Sequence, residues 1–294
     1  MAGIKELKIR IKSIRGTRKI TRAMQMVSAA KMKRAQNATV SSRSYSEMAW
    51  EIIKNLSRKG AFSHPLIKAY PDAQKVGVIL ISSNKGLVGS LNANLIYSLK
   101  QVVAEADTSK IIDLITYGKK GQILAGRLGK NINADFQKIE KGPKIEDIYP
   151  ISQYISDAYA KGEYSKFYLI YNFFNSTLSQ KPVLKQLLPF SDDLLKQLED
   201  PDNLPTSNDI DYVFEPDVNQ VLEHLVPRIL ESQIYQAVLE AEASEHSARM
   251  IMMKNATEAA GDLISDLTLT FNQLRQNKIT TELAEITSGK IALE

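Results

Sequence analysis

Cysteine is absent from the 294 residues, which excludes disulfides, thiolate zinc sites, a cysteine nucleophile and thiol redox switching. Histidine is scarce: His64, His224 and His246 lie far apart, so a histidine-built metal site requires distant segments to converge. No apolar run approaches the roughly 20 residues of a membrane-spanning helix. The start, Met1-Ala2-Gly3-Ile4-Lys5-Glu6, lacks the apolar core and cleavage site of a signal peptide. A soluble chain is expected, reaching any membrane surface only through partners. Helix breakers are scarce at both ends, with no proline before Pro65 or after Pro227, and only Gly3 and Gly16 before Gly60. No aromatic residue precedes Tyr45. What is present, 44% apolar and 24% charged residues, suits a packed core and argues against wholesale disorder.

The net charge of +5 is unevenly placed. Residues 1–34 hold 11 Lys/Arg against the single Glu6, a local sum of +10, so the rest of the chain sums to −5. Residues 191–217 carry nine Asp/Glu against Lys196. A basic end on an acidic molecule points to an acidic partner: nucleic acid, a lipid surface or an acidic protein face.

Ile4, Leu7, Ile11 and Ile14 recur at helical spacing, and Ile20, Met24 and Val27 resume the stripe slightly displaced. This predicts a helix from about residue 3 to 58, roughly 80 Å long. At the other end Val218, Leu222, Leu225 and Ile229 form a stripe, and Leu263, Leu267, Phe271 and Leu274 a second. Between 217 and 288 only Pro227 and Gly261 interrupt, and Pro227 is expected to bend the first turns rather than stop the helix. That rod spans about 100 Å, whereas a compact domain of the whole chain is about 45–50 Å across. The two helices are therefore expected to project and to pack as an antiparallel coiled coil. Ser28, Lys31, Gln233 and Gln236 interrupt the seam, which implies support from surrounding protein.

The period changes over residues 74–190. Val76–Ser82, Ile111–Tyr117 and Lys166–Phe173 are β-rich apolar runs, and helical stretches at about 91–106, 119–128 and 145–161 alternate with them. The alternation predicts an α/β domain with a mostly parallel sheet, with Val183–Phe190 as a final edge strand. The acidic, proline-bearing segment 191–216 reads as a surface loop leading into the last helix, 217–288, which ends in a short tail, 289–294.

The turn after the first strand, Ser82-Ser83-Asn84-Lys85-Gly86-Leu87-Val88-Gly89-Ser90, has neither glycine order that cradles a diphosphate. Gly118-Lys119-Lys120-Gly121 is a lone basic glycine turn, for which capping and packing are the default. No histidine lies near Ser83, and no zinc-binding helix motif occurs, so no catalytic, cofactor or metal residue is assigned. Nucleic acid is a natural first partner for the basic helix. Against it, that helix lacks stacking aromatics and its apolar stripe demands burial. A membrane-surface helix calls for Trp, Phe or Leu where Ala and Met dominate, so packing on a second helix explains the composition better.

Thr17-Arg-Lys-Ile-Thr-Arg-Ala-Met-Gln-Met-Val-Ser-Ala-Ala-Lys-Met32 resembles the amino-terminal helix of the γ subunit of rotary ATP synthase. The other end agrees: Ala243-Ser-Glu-His-Ser-Ala-Arg-Met250, Asn272-Gln-Leu-Arg-Gln276, and Ile279-Thr-Thr-Glu-Leu-Ala-Glu-Ile286 with Gly289. Ser83–Asn92 and Glu215-Pro216 match further family stretches, so the likeness covers essentially the whole chain. Lys290 stands where the family usually has alanine, Asn84 where aspartate is usual, and Val88 where cysteine is common.

The resemblance implies a fold in which long N- and C-terminal helices form a curved, antiparallel coiled-coil shaft, residues 1–60 and 217–288, on a central Rossmann-like α/β foot, residues 74–190. It implies a non-catalytic rotor inside a hexamer of α and β subunits, with the ε subunit and the membrane ring of c subunits at the foot. Rotation driven by proton or sodium flow then drives ATP synthesis, or runs in reverse with hydrolysis, on the β subunits. No cofactor, metal or nucleic acid is implied. The location implied is the cytoplasmic face of a bacterial inner membrane, or alternatively the matrix side of the mitochondrial one. Rotor–stator contacts are implied at Lys19, Arg22, Met24, Arg249, Arg275 and Gln276: Met24 beside a β-subunit lever, Arg275 and Gln276 at a catch loop, Arg249 at a β-subunit carboxylate. Residues read alone give Met24 a seam position, Arg275 and Gln276 exposed helix positions, and Arg249 an i,i+4 pair with Glu245. The runner-up function is a coiled-coil nucleic-acid-binding protein with an α/β effector domain, and the third is an α/β enzyme.

Overall fold

The structure, a computed structural model, describes residues 2–58, 64–105, 110–127, 131–139, 142–190 and 218–291. The acidic segment 191–216, with Glu215-Pro216, and the last three residues lie outside the described residues, as does the stretch around Gly60 where the first helix is expected to end.

Helix α1 (Ala2–Arg58) and a last helix, α5 (Val218–Ile291), flank the middle of the chain. Proline-free sequence lets α1 run for 57 residues, and Pro227 lies inside the continuous α5 near its start. Between them come β1 (Lys75–Ile81), α2 (Leu91–Glu105), β2 (Ile111–Tyr117), α3 (Lys119–Arg127), β3 (Ile132–Phe136), a 3-10 turn (Ile145–Ile148), α4 (Tyr149–Ala160), β4 (Tyr164–Phe174) and β5 (Gln180–Leu188). The chain divides into two compact units, Met1–Ala29 with Arg249–Glu294, and Ala30–Ala248.

In the larger unit the sheet order is β3-β2-β1-β4-β5, with parallel pairings except for the antiparallel β4–β5 hairpin. This is the α/β class with a parallel-dominated sheet that alternation predicts. Strand β3 escapes the sequence reading because Ile132-Asn-Ala-Asp-Phe136 is a short edge strand of alternating polarity. Central β1 is buried on both faces, which explains its unbroken apolar text. Val78 and Leu80 face α2 and α3, packing with Leu95, Leu99 and Ala125. Ile79 and Ile81 face the other way, in a core with Ile151 and Ile155 of α4 and with Leu222, Val226, Ile229, Ile234 and Val238 of α5. The first turns of α5 thus serve as a layer of the α/β sandwich. Gly77 sits opposite Phe167, whose ring lies where a β-carbon would project, 2.1 Å from it.

In the smaller unit the two helices run antiparallel, since Thr257 meets Thr21 while Gly261, one turn on, meets Arg18, one turn back. On α1 the inward positions follow a heptad: Ile4, Leu7, Ile11, Ile14, then Thr21, Gln25 and Ser28. Ile20 and Val27, which the apolar text assigns to the stripe, are instead 62% and 57% exposed. The heptad register set by the four leading aliphatics continues through polar residues, so the later apolar ones fall outside it. On α5 the inward set is Met253, Thr257, Ala260, Ile264, Leu267 and Phe271, whereas Leu263 and Leu274 of the expected stripe are exposed.

Candidate functional site

All six residues implied as contacts lie in the smaller unit. Lys19 and Arg22 project from α1 into solvent, as does every basic residue from Lys5 to Arg22. Met24 is half-buried beside the seam. On α5, Arg275 and Gln276 are exposed, whereas Arg249 is buried, with 8% of its surface open. Arg249 and Gln276 are 27 residues apart, about 40 Å along a helix. The structure therefore strings these residues along two helices and gathers them into no pocket.

The same unit exposes large apolar side chains: Ile9, Ile20, Met26 and Val27 on α1, and Leu263, Leu269, Leu274, Ile279, Leu283 and Ile286 on α5. Ile279, Leu283 and Ile286 recur at one helical face. The pairing that joins Thr21 to Thr257 would place the start of α1 near residue 277, so this last stripe lies beyond α1's reach. Two exposed ion pairs, Lys254–Glu258 and Lys278–Glu282, lie along α5 at i,i+4.

In the larger unit, α5 is buried on all sides from Ile229 to Ala248, apart from half-buried Tyr235 and Gln236. Small residues, Ala237, Ala241, Ala243, Ser244, Ser247 and Ala248, let several segments approach it at once. Ser244 Oγ donates to the Asn172 carbonyl at the end of β4 (2.8 Å), and Ser247 Oγ donates to the Thr177 carbonyl in the β4–β5 turn (2.7 Å). Ala248 packs with Val88 of the turn after β1 and Leu91 at the start of α2. Between them Glu245 accepts a hydrogen bond from Lys138 Nζ at 2.6 Å, a pair with side chains 9% and 4% exposed. One turn back, burial pushes the Glu242 carboxyl up to about 7, offset in part by Lys138, reinforced by Glu245 and opposed by Lys31. Lys31 is half-buried, unlike the exposed basic residues from Lys5 to Arg22. On the other side Glu240 accepts from Gln236 Nε2 (3.1 Å) and from the Tyr171 hydroxyl, and Gln236 in turn bonds Ser42 of α1. This buried polar belt has no plain sequence signal beyond the run Glu240-Ala-Glu-Ala-Ser-Glu245, whose charges an amphipathic reading places outside.

The strand-end turns hold their polar groups among themselves. Ser82 Oγ accepts from the Gly121 amide (2.6 Å) and donates to the Gly118 carbonyl (2.9 Å). The Lys120 amide bonds the Ser83 carbonyl (3.0 Å), and the Lys119 amide bonds Asn84 Oδ1 (3.2 Å). The start of α3, a helix N-terminus at which an anion could otherwise bind, is thus capped from within. Asn84 Nδ2 also donates to the Lys138 carbonyl at 2.8 Å. No cluster of metal-binding side chains occurs among the described residues, and none of their helices is long and apolar enough to cross a membrane.

A family model described as ATP synthase matches residues 3–293. The ATP synthase γ chain of Legionella pneumophila is 39% identical over 295 residues, covering 100% of both chains. That of Herpetosiphon aurantiacus is 38% identical over 302 residues, covering 100% of this chain and 99% of the relative. Among solved structures, a chain of Euglena gracilis mitochondrial ATP synthase (OSCP/F1/c-ring) superposes with a TM-score of 0.68 at 17% identity, covering 99% of this chain and 95% of that one. A chain of the central stalk and c-ring of Tetrahymena thermophila mitochondrial ATP synthase gives 0.59 at 23% identity, over 81% and 99%. At these identities the structural likeness is one of fold.

Proposed function

The chain belongs to the ATP synthase γ-chain family, and on that premise we propose that it is the central-stalk rotor coupling ion-driven rotation of a c-ring to ATP synthesis or hydrolysis on surrounding β subunits. The observation that carries this reading is the surface of the smaller unit, where ten large apolar side chains stand exposed among solvent-facing lysines and arginines. Two helices with an apolar, basic exterior and a seam that turns polar at Thr21, Gln25, Ser28 and Thr257 are built for burial inside another protein. The chain itself is non-catalytic: its strand-end turns are capped from within, and the ATP chemistry belongs to the β subunits.

Within this reading Lys19 and Arg22 face acidic groups of the β subunits. Each exposed pair contributes about 0–1 kcal/mol, so the shaft passes from one subunit to the next without a deep trap. Steric fit then transmits most of the torque, and the charges smooth and steer. Met24 lies beside the moving β-subunit segment, and Arg275 with Gln276 meets a β-subunit loop through exposed polar ends. Arg249, nearly closed off, is given an internal role in place of the β-subunit contact that the resemblance implies. The α/β layer forms the foot, with the ε subunit and the c-ring. The complex is placed on the cytoplasmic face of a bacterial inner membrane, which the chain reaches through its partners.

Reconstitution with α and β subunits tests the reading. A stable complex whose ATP hydrolysis depends on this chain is expected. No assembly from a well-folded chain and cognate subunits would overturn it and return the basic helix to the nucleic-acid reading, which salt-dependent retention of DNA or RNA would then probe.

A further inference from the structure

A rotor whose foot grips the c-ring must pass torque from the α/β layer to α5. Leu222, Val226, Ile229, Ile234 and Val238 interlock the first turns with that layer, but large apolar side chains give way to small ones over residues 241–248. The α5 side chains facing that layer at this level are mostly alanine and serine, which present shallow ridges to any segment sliding round the helix. Directional contacts resist such rotation. Three of them fall within four residues of α5: Ser244 to the end of β4, Glu245 to Lys138, and Ser247 to the β4–β5 turn. At about 100° per residue they point to different sides of the helix. The Lys138–Glu245 pair has the longest reach from the helix axis and the only ionic bond of the three. Its far end is backed by the sheet, because Asn84 holds the Lys138 carbonyl while also capping α3.

A buried ion pair is a poor means of adding stability, since a well-packed apolar pair often does as well, but it fixes one geometry. Resting on the coupling role given above, we propose that Lys138 and Glu245 key α5 to the strand-end turns, so that the α/β layer and the helix turn as one body. Both are positioning residues: they touch no substrate and act by holding the helix at one angle.

The test places the full chain in the assembled ATP synthase in membrane vesicles. ATP hydrolysis is measured beside ATP-driven charging of the membrane, followed with a potential-sensitive dye that responds whichever ion is pumped. The double variant Lys138→Met with Glu245→Met keeps the packing and removes both charges. It is expected to assemble and to hydrolyse ATP, while charging per ATP falls roughly two-fold or more. The charge-reversed pair, Lys138→Glu with Glu245→Lys, is expected to recover most of that loss, which a packing role does not predict. Unchanged charging per ATP in the apolar pair, or a reversed pair no better than the apolar one, overturns the proposal. Should the apolar pair fail to assemble, the reversed pair decides alone: recovered charging supports the ionic key, and failure to assemble overturns it. If the unmodified chain fails to support hydrolysis in the same complex, the coupling role itself has failed.

Discussion

Glu242 gives the sharpest quantitative prediction. The residue is 6% exposed, and its carboxyl interacts with Lys138 from the segment after β3, Lys31 from α1, Tyr117 from β2, and Tyr235 and Glu245 from its own helix. Burial lifts it from its ordinary 4.5 to about 7. Between those values the folded chain keeps a proton that the unfolded chain has released, so stability falls as pH rises through the window and levels off above it. A lift of that size corresponds to about 3 kcal/mol between the two ends. Glu242→Gln places a neutral group of the same shape there and removes this contribution. Urea unfolding of the full chain at a series of pH values compares the two proteins, and their difference cancels His64, whose imidazole burial pushes down and whose stability contribution runs in the opposite direction. The variant is expected to match the parent near pH 4, where the carboxyl is protonated in both states, and to exceed it by up to about 3 kcal/mol at pH 8. Parallel curves would show that Glu242 is ionised throughout and that the Lys138 cluster is arranged differently.

Other perturbations follow from single contacts. Gly77→Ala drives a methyl group into the Phe167 ring and is expected to cost about 3 kcal/mol, part of it recovered by Phe167→Leu, as thermal unfolding would register. Replacing Thr21 and Thr257 together by valine exchanges a polar seam contact for an apolar one and is expected to be neutral or stabilising, whereas either change alone lowers the melting temperature. Met24→Lys sets a charge at a half-buried shaft position and is expected to lower ion pumping per ATP hydrolysed; unaltered pumping would place Met24 in the seam alone. Alanine at Lys19 and Arg22 is expected to leave rotation torque nearly intact, and its abolition in an intact complex would transfer the main burden from steric fit to charge.

Most of the architecture is readable in the text of the chain. Proline-poor ends with helical periodicity announce α1 and α5, and runs rich in β-branched or aromatic residues announce β1, β2 and β4, because strands buried on both faces leave no other pattern. Edge strand β3 is missed for the converse reason: its alternation is short and its polar residues are real surface. The seam is where periodicity misleads. Ile20, Val27, Leu263 and Leu274 look like a helix–helix contact because an apolar residue normally signals burial within its own chain. Here the heptad phase set by Ile4, Leu7, Ile11 and Ile14 continues through Thr21, Gln25 and Ser28, and the apolar residues are left facing outward. Apolar text therefore reports burial in an assembly as readily as burial in a fold. The Lys138–Glu245 pair was invisible for a different reason, since its members stand 107 residues apart and meet only once the sheet and α5 are packed.

That this chain turns inside an α/β-subunit hexamer is a claim that single-molecule rotation can check by watching the chain itself. With the hexamer fixed to a surface and a bead on the α/β layer of this chain, ATP is expected to drive sustained rotation in one direction, pausing at three angles. A complex that hydrolyses ATP at full rate with the bead moving only by diffusion would contradict the claim.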